Sequence, residues 1–444
     1  MKNAVLVIGA CLLAAVGLVS TASGQWLEAT IELPIVSIAI SMVANPAGTR
    51  LYVTNVNSDS SCVYVIDATT NTLLKKIPCG SSPGWLCYNT AGDKLYVPIP
   101  EGRITVIDAT ADTVLRNINT GRYPGLPTYY AAGNRIYCTS YDDQTIVAID
   151  GATDSILHRI QLPTAAGYLV LNDAEHKLYV LAGSGLVVID CTADTIAAQI
   201  DLPGDGAICL STGQDRLYCT MSLDSLVVAV DCSADTVLSK TIRVGLWPHV
   251  VGYSSAADKV YVGATVGSNV TIIDCASDSA LAAIQFPSIP WGICADPVTG
   301  HVYCTSRETN ETFILDGAGD SVLARVTVGE LPGTAYWGTG RHRAYIANER
   351  GHSISVLRDV PGGIEESRKP QAPSYKPEAT IVRGVLNMGV DSRQYSAYRA
   401  EMLDISGRKV MALKAGANDV SHLAPGVYLV RTGPSLSRKV IIQD

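Results

Sequence analysis

A tyrosine recurs eight times along this chain at an almost constant interval. Tyr52, Tyr96, Tyr137, Tyr179, Tyr218, Tyr261, Tyr303 and Tyr345 are separated by 44, 41, 42, 39, 43, 42 and 42 residues. Each sits in a short apolar run, followed by a second run ending in Asp and then a Ser/Thr-rich turn. A period near 42 residues with no helical pattern inside it describes one small sheet repeated around a ring, the β-propeller. A chain of 444 residues would ordinarily imply two or three domains, but a repeat array closes as one body, so the period outranks the length.

Each period holds four strand-like runs, a to d from the axis outward. In the first copy Leu51–Thr54 is b, Val63–Ile66 is c and Leu73–Ile77 is d, and Leu86–Tyr88 opens strand a of the next. These runs are rich in β-branched and aromatic residues and are bounded by Gly, Asn, Asp or Pro. Pro83, Pro124, Pro248, Pro290 and Pro332 each lie 13 residues before a repeat Tyr, at the start of strand a, where a missing N–H costs no ladder hydrogen bond. The two ends are complementary. Arg343–Asp359 supplies b and c with no d, whereas Ala29–Leu33 is a surplus d ahead of the first a. If the first strand completes the last sheet, the ring has eight blades and no open seam; a seven-bladed ring with one atypical repeat is the alternative. Charged residues are only 17% of the chain and hydrophobic residues 47%, as strands covered on both faces require.

Residues 1–24 read as a secretory signal peptide, with Lys2 before the apolar run Ala4–Val19 and the small residues Ala22-Ser23-Gly24 before Gln25. Ile8-Gly9-Ala10-Cys11 also resembles a lipobox, but the apolar run continues past Cys11, which favours cleavage before Gln25. No other stretch has the roughly 20 apolar residues of a membrane span. Residues 25–360 form the propeller, with 20 Lys/Arg against 33 Asp/Glu. Residues 361–377, with four prolines among charged residues, read as a linker. Residues 378–444 lose the period and read as a small Ig-like β-sandwich, and the stretch 361–444 carries 12 Lys/Arg against 8 Asp/Glu. An acidic propeller argues against nucleic acid as a partner, because phosphate contacts need clustered Lys and Arg.

Two resemblances follow from these residues. Leu51-Tyr52-Val53-Thr54-Asn55, followed by Val63-Tyr64-Val65-Ile66-Asp67, resembles the YVTN-type β-propeller repeat, and the likeness repeats in register from about Glu28 to Asp359. That family is known mostly from surface and binding scaffolds, so the resemblance implies interaction rather than catalysis. The C-terminal blocks Leu403-Asp404-Ile405-Ser406-Gly407-Arg408-Lys409-Val410, Leu423-Ala424-Pro425-Gly426-Val427-Tyr428-Leu429-Val430 and Arg438-Lys439-Val440-Ile441-Ile442 resemble the sorting domain of the bacterial type IX secretion system. This likeness implies passage across an outer membrane, with Asp404, Gly407, Arg408, Pro425, Gly426, Tyr428 and Lys439 in the sorting motif and the secretion machinery as partner. An ordinary accessory domain is the alternative for this segment. The implied location is the outer surface of a bacterium or its surroundings.

Several residues could carry chemistry, and each has a structural role that competes with that reading. Asp67, Asp108, Asp150, Asp190, Asp231, Asp274 and Asp316 each precede, by four residues, an Asn or Asp: Asn71, Asp112, Asp154, Asp194, Asp235, Asp278 and Asp320. Recurrence in every complete blade suits a c–d turn, where Asp accepts backbone N–H groups, better than an active site, which needs to occur once. Cys62 and Cys79 would face each other across a c–d hairpin centred on Thr70 and Asn71, and a disulfide there would be worth about 3 kcal/mol. Cys209 with Cys219 and Cys294 with Cys304 read as buried thiols. His176, His301 and His342 read as solvated a–b turn residues, and only His249 lies on an inner strand. Neither a metal nor another cofactor is expected. Trp85, Tyr123, Trp247 and Trp291 flank the leading prolines, so with His249 they should gather at one mouth of the channel, where aromatic faces suit sugars or peptides. Packing between blades would account for the same tryptophans. The expected function is an exported, non-catalytic scaffold that binds a surface protein or polysaccharide. The alternative is a secreted hydrolase or lactonase acting at the same mouth.

Overall fold

The computed structural model describes residues 24–360 except 35–36, 58–60, 184, 203, 205 and 339, and in the C-terminal region the segments 380–382, 385–388, 400–404, 408–414, 416–432 and 435–442. All of the expected signal peptide but Gly24, the expected linker and Gly407 lie outside the described residues.

Eight four-stranded antiparallel sheets follow one another along the chain. Blade 1 is Ala39–Ala44, Arg50–Asn55, Cys62–Asp67 and Thr72–Pro78, and blades 2 to 7 repeat that a-b-c-d order. Blade 8 takes three strands from the end of the array, Pro332–Gly338, Arg343–Asn348 and Ser353–Asp359. Its fourth is Gln25–Glu32 from the beginning. The register sets Gln25 against Asp359, Ala29 against Val356 and Ile31 against Ile354. The chain therefore forms the eight-bladed ring, and the seven-bladed alternative falls away.

The burial pattern explains the unusual strand composition. Strands b and c are covered by a neighbouring blade on each side, so Val63, Tyr64, Val65 and Ile66 are all fully buried. Strand d is outermost, and Thr72–Pro78 buries only Ile77. One interblade core joins Tyr52, Val63 and Val65 of blade 1 to Leu95, Val97 and Ile99 of blade 2. Each such aliphatic side chain contributes about 1.5–3 kcal/mol on burial.

Register also defines the two faces of the ring. Pro124 pairs with Ser140 and Thr145 with Gln161, so the starts of strands a, the b–c loops and the ends of strands d share one face, the loop face. The a–b and c–d hairpins share the opposite, hairpin face.

The Asp pairs of the hairpin face have divided roles. The first member caps its own turn: Asp67 Oδ1 accepts Thr69 N and Thr70 N at 2.7 and 3.0 Å, and Asp150 accepts Ala152 N and Thr153 N. The second member occupies the left-handed region, at φ 54° for Asp112, 60° for Asp154 and 55° for Asp194, where Asp and Asn are tolerated best. Its carboxylate ties two blades together. Asp154 accepts Lys94 Nζ and Tyr96 Oη of the preceding blade at 2.9 and 2.6 Å, and Asp194 accepts Arg135 and Tyr137 at 2.9 and 2.5 Å. Asp235 and Asp278 repeat the pattern with Lys177/Tyr179 and Arg216/Tyr218. In blades 1 to 5 the recurring tyrosine and the basic residue two positions before it are therefore interblade latches, whereas in blade 6 Lys259 alone makes the tie, to Asp320 at 2.7 Å. The residue after each first Asp lends its carbonyl to the latch, as Tyr52 Oη donates to Ala109 O and Tyr137 Oη to Cys191 O, and its side chain is small where it is buried between blades, as at Ala109 and Cys191.

Closure uses a modified latch. Asn71 replaces the acid in blade 1, and Arg343 instead donates to Ala68 O while its guanidinium forks onto Glu28 of the N-terminal strand. Between blades 7 and 8, His301 Nδ1 lies 2.8 Å from Asp359 Oδ2, and Gln25 Nε2 donates to Asp359 Oδ1 at 3.0 Å. His301 is thus not the solvated turn residue the sequence suggested, because blade 8 places a buried carboxylate against it. The Asp359 hydrogen bond raises the His301 pKa above 6.5 despite burial. Burial alone would raise Asp359, but the hydrogen bonds from His301 and Gln25 hold it below 3.8. Stability from a raised histidine is complete below its unfolded value and is lost as pH climbs through the folded one; the lowered carboxylate loses its contribution as pH falls through its own. The melting temperature should be greatest between about pH 4 and 6.5 and decline toward pH 9, and His301→Gln should flatten the alkaline limb in a thermal scan against pH.

A second compact unit spans Glu365–Asp444. It contains a five-stranded sheet with Thr380–Val382, Ser435–Ile442, Gly426–Thr432, Ala400–Leu403 and Lys409–Leu413 in that order, and a two-stranded pair, Val385–Met388 with Gly416–Asp419. Met402, Val420, Val430 and Val440 are its buried centre. Asp404 accepts the Arg408 backbone N–H and faces its guanidinium at 3.1 Å. Tyr428 Oη donates to Ala424 O beside the exposed Pro425, at the start of the strand opened by Gly426, and Lys439 lies on the neighbouring strand.

Candidate functional site

The loop face carries large aromatic side chains exposed to solvent. Trp85 is 49% exposed, Tyr123 51%, Trp247 57% and Trp291 40%. Packing between blades therefore leaves a large part of each ring uncovered. Tyr123 and Trp247 stand immediately before Pro124 and Pro248 at φ 51° and 56°, a region in which a bulky side chain is strained and which sites of function often hold. Leu331, before Pro332, shares it at 55°.

The aromatic residues occupy two separate places. Trp247 and His249 belong to blade 6 and Trp291 to blade 7, whereas Trp85 and Tyr123 lead into blades 2 and 3. In a ring of eight, these lie on opposite sides of the axis. The single gathering expected from the sequence is thus divided, because blade number fixes each residue's position around the channel.

On the first side, His249 and Trp291 are in contact, with ring centroids 5.4 Å apart. His249 Nδ1 lies 2.9 Å from Thr265 Oγ1, and burial lowers its pKa below 6.5, so the imidazole is neutral near pH 7. Arg307, from the b–c loop of blade 7, lies over the Trp291 ring at 4.1 Å and forks onto Glu349 of blade 8 with distances of 3.1 and 2.6 Å. The fork spends the Arg307 charge on Glu349 and leaves a stiff aromatic–guanidinium ledge. Arg307 and Glu349 were not singled out by the sequence; their only signal was membership of two b–c loops.

On the opposite side, Tyr123, Gly125, Thr139, Tyr141, Asp142, Ala166 and Gly167 line a depression of about 410 Å³ between blades 3 and 4. Tyr141 is 54% exposed, and its backbone N–H donates to Tyr123 O at 3.2 Å. Arg122 Nε stands 3.7 Å from Asp142.

The described thiols are free, and burial keeps them protonated. Cys62 pairs with Pro78, not Cys79, and both are free and buried. The hairpin is centred on Thr69 and Thr70, one residue earlier than expected, and a bulge between Val65 and Ile66 makes up only part of the offset. Burial, with Cys62 nearby, pushes the Cys79 thiol up to about 12, and burial lifts Cys191 to about 12 and Cys275 to about 11. Cys209 faces Tyr218 and Cys294 faces Tyr303, each one register step from the cysteine ten residues on. Among the described residues no three His, Cys, Asp or Glu side chains group as metal ligands. What the loop face offers is aromatic area, hydroxyls, paired charges and a shallow cavity, which are the means of recognising a ligand.

No family model matches the chain, and no curated protein matches its sequence. Solved structures do resemble it. The Saccharomyces cerevisiae protein Sqt1 is similar at 10% identity and a TM-score of 0.64, covering 76% of this chain and 100% of that one. The computationally designed protein Ika8 is similar at 14% and 0.59, over 74% and 98%. Dihydro-heme d1 dehydrogenase NirN, in complex with DHE, matches at 12% and 0.57, over 68% and 69%, and Kuenenia stuttgartiensis hydrazine synthase at 17% and 0.51, over 74% and 96%. These likenesses, at identities of 10 to 17%, establish the shared β-propeller architecture and nothing finer.

Proposed function

We propose that this chain is an exported, non-catalytic binding scaffold that engages a protein or polysaccharide at a bacterial cell surface through the loop face of its propeller, and that the C-terminal unit is read by the type IX secretion machinery. The observation that carries the binding role is the set of exposed aromatic side chains, two of them in strained left-handed backbone, on a single face of an otherwise well-packed ring. Strain and exposed aromatic area both cost stability and persist where recognition uses them. The export role rests on the sequence: an N-terminal apolar segment ending in small residues, and three ordered C-terminal blocks resembling a sorting domain. The acidic composition of residues 25–360 speaks against nucleic acid as the ligand.

The Trp247→Ala/Trp291→Ala double variant should retain the wild-type melting temperature within a few degrees and lose at least tenfold in affinity for envelope material from the producing cells, measured by sedimentation of labelled protein. Unaltered affinity in the folded variant would remove this ledge as the site. Deleting residues 378–444 should hold the protein inside the cell, and unchanged amounts in the medium and on the surface would refute the sorting role.

A further inference from the structure

We infer that the depression between blades 3 and 4 is a subsite for a neutral pyranose residue of a saccharide chain. This deepens, and rests on, the reading of the loop face as a binding surface, and it names a place and a ligand chemistry.

One threonine stands apart from its counterparts in the other repeats. Four blades carry a threonine two residues after the repeat tyrosine: Thr54, Thr139, Thr220 and Thr305. Thr220 Oγ1 accepts Ala207 N at 2.8 Å and donates to Ala207 O at 3.2 Å. Thr305 Oγ1 accepts Gly292 N and donates to Gly333 O, at 2.8 and 2.9 Å. Thr54 donates to Ser41 O at 3.5 Å. Thr139 is 1% exposed, yet its hydroxyl has no partner among the described residues. A buried hydroxyl left unpaired costs about 1–3 kcal/mol. Of the four, Thr139 is the one that lines the depression.

The surroundings form a cradle for that hydroxyl. A Cβ at Gly125 would collide with Thr139 Oγ1, so glycine is what lets strand a lie directly against this unpaired hydroxyl at the wall of the hollow. A Cβ at Gly167 would meet nothing within 4 Å, which makes that residue an open edge of the same hollow. Tyr123 and Tyr141 supply two rings, each about half exposed. Tyr168, 47% exposed, follows Gly167 along strand a.

The chemistry selects among ligands. Asp142 faces Arg122 at 3.7 Å, and the neighbouring Asp143 carboxylate accepts the Ser140 hydroxyl at 3.1 Å, so the site carries carboxylate acceptors and a guanidinium donor side by side. A cationic peptide would have to displace Arg122, and an anionic one would meet Asp142. A pyranose presents an apolar C–H face to an aromatic ring and hydroxyls around its edge, which suits tyrosine rings flanked by Asp142, Arg122 and the Thr139 hydroxyl. About 410 Å³ lies within the range of small-molecule sites.

The test is calorimetric titration of the purified full chain with cellohexaose, xylohexaose and mannohexaose, and with an oligolysine peptide, beside thermal melts of four variants. At least one hexasaccharide should bind and the peptide should not. Gly167→Leu, which fills the hollow, and Tyr141→Ala should each weaken that binding at least tenfold with an unchanged melting temperature. Thr139→Val should weaken it severalfold without lowering the melting temperature, whereas Thr305→Val, which breaks two made hydrogen bonds, should lower it. Absence of hexasaccharide binding, preference for the peptide, or binding indifferent to Gly167→Leu and Tyr141→Ala would overturn the subsite. If no hexasaccharide binds while the envelope is still bound through Trp247 and Trp291, the subsite fails and the scaffold reading stands. If a hexasaccharide binds at Tyr141 but envelope binding is absent, the subsite stands and the scaffold reading fails.

Discussion

A chain lacking Gln25–Glu32 should not recover a stable ring: it should collect in the insoluble fraction, or refold to a species without the cooperative melt of the full chain. Three losses coincide. Ser353–Asp359 becomes an open edge beside the last b strand, with backbone groups ready to pair with another chain. Ile31 leaves the core it shares with Leu51, Ile354 and Val356. Arg343, 5% exposed, loses the Glu28 carboxylate, and breaking a buried pair by removing one partner costs about 3–5 kcal/mol. The register supplies a rescue. Gln25 lies directly opposite Asp359, so a permuted chain that appends Gln25–Leu33 after Asp359 through a short turn should restore solubility and the melt. Wild-type stability in the deleted chain, or failure of the permutant, would show that the N-terminal strand is an attachment and not part of the closure.

The ring was legible in the sequence because it is built from a local device repeated. Every blade buries a tyrosine at the same position of strand b, so Tyr52 to Tyr345 mark the period, and a missing d strand at one end with a spare at the other reveals the closure. The latches were not legible. Tyr137 and Asp194 lie 57 residues apart and belong to different periods, so a search within one repeat assigns the second Asp of each pair to its own turn and stops there. His301 misled for the same reason, since its partner Asp359 is 58 residues away. The site was half legible. Strand position placed Trp85, Tyr123, Trp247 and Trp291 on one face, but residues at equivalent positions of different blades are separated by rotation about the axis, which sequence spacing does not convey. The Thr139 signal was invisible at that level, because four threonines at one repeat position look alike until three of them are seen with partners.

Of the latch residues, Asp194 should be the most costly single substitution. Its side chain is 1% exposed and receives three groups: Arg135 at 2.9 Å, Tyr137 Oη at 2.5 Å and His158 Nδ1 at 2.7 Å. Asp194→Ala leaves the Tyr137 hydroxyl and a three-quarters buried guanidinium sharing the one Cys191 carbonyl, at 3.1 and 2.7 Å, and it places an alanine, with no side-chain oxygen to support the turn, at φ 55°. The expected loss is about 3–5 kcal/mol by urea unfolding. Asp194→Asn keeps the backbone conformation and one acceptor oxygen, so it should fall well short of that. Asp112→Ala is the internal comparison. There Arg50 is 34% exposed and the Tyr52 hydroxyl is 3.5 Å away, bonded better to Ala109 O at 2.8 Å, so water and a carbonyl replace most of what the carboxylate supplied. If the two alanine variants lost equal stability, the turn conformation they share would account for the loss. A clear excess at Asp194 assigns the difference to the tie between blades, because the two positions have nearly the same φ and differ in what their carboxylates hold.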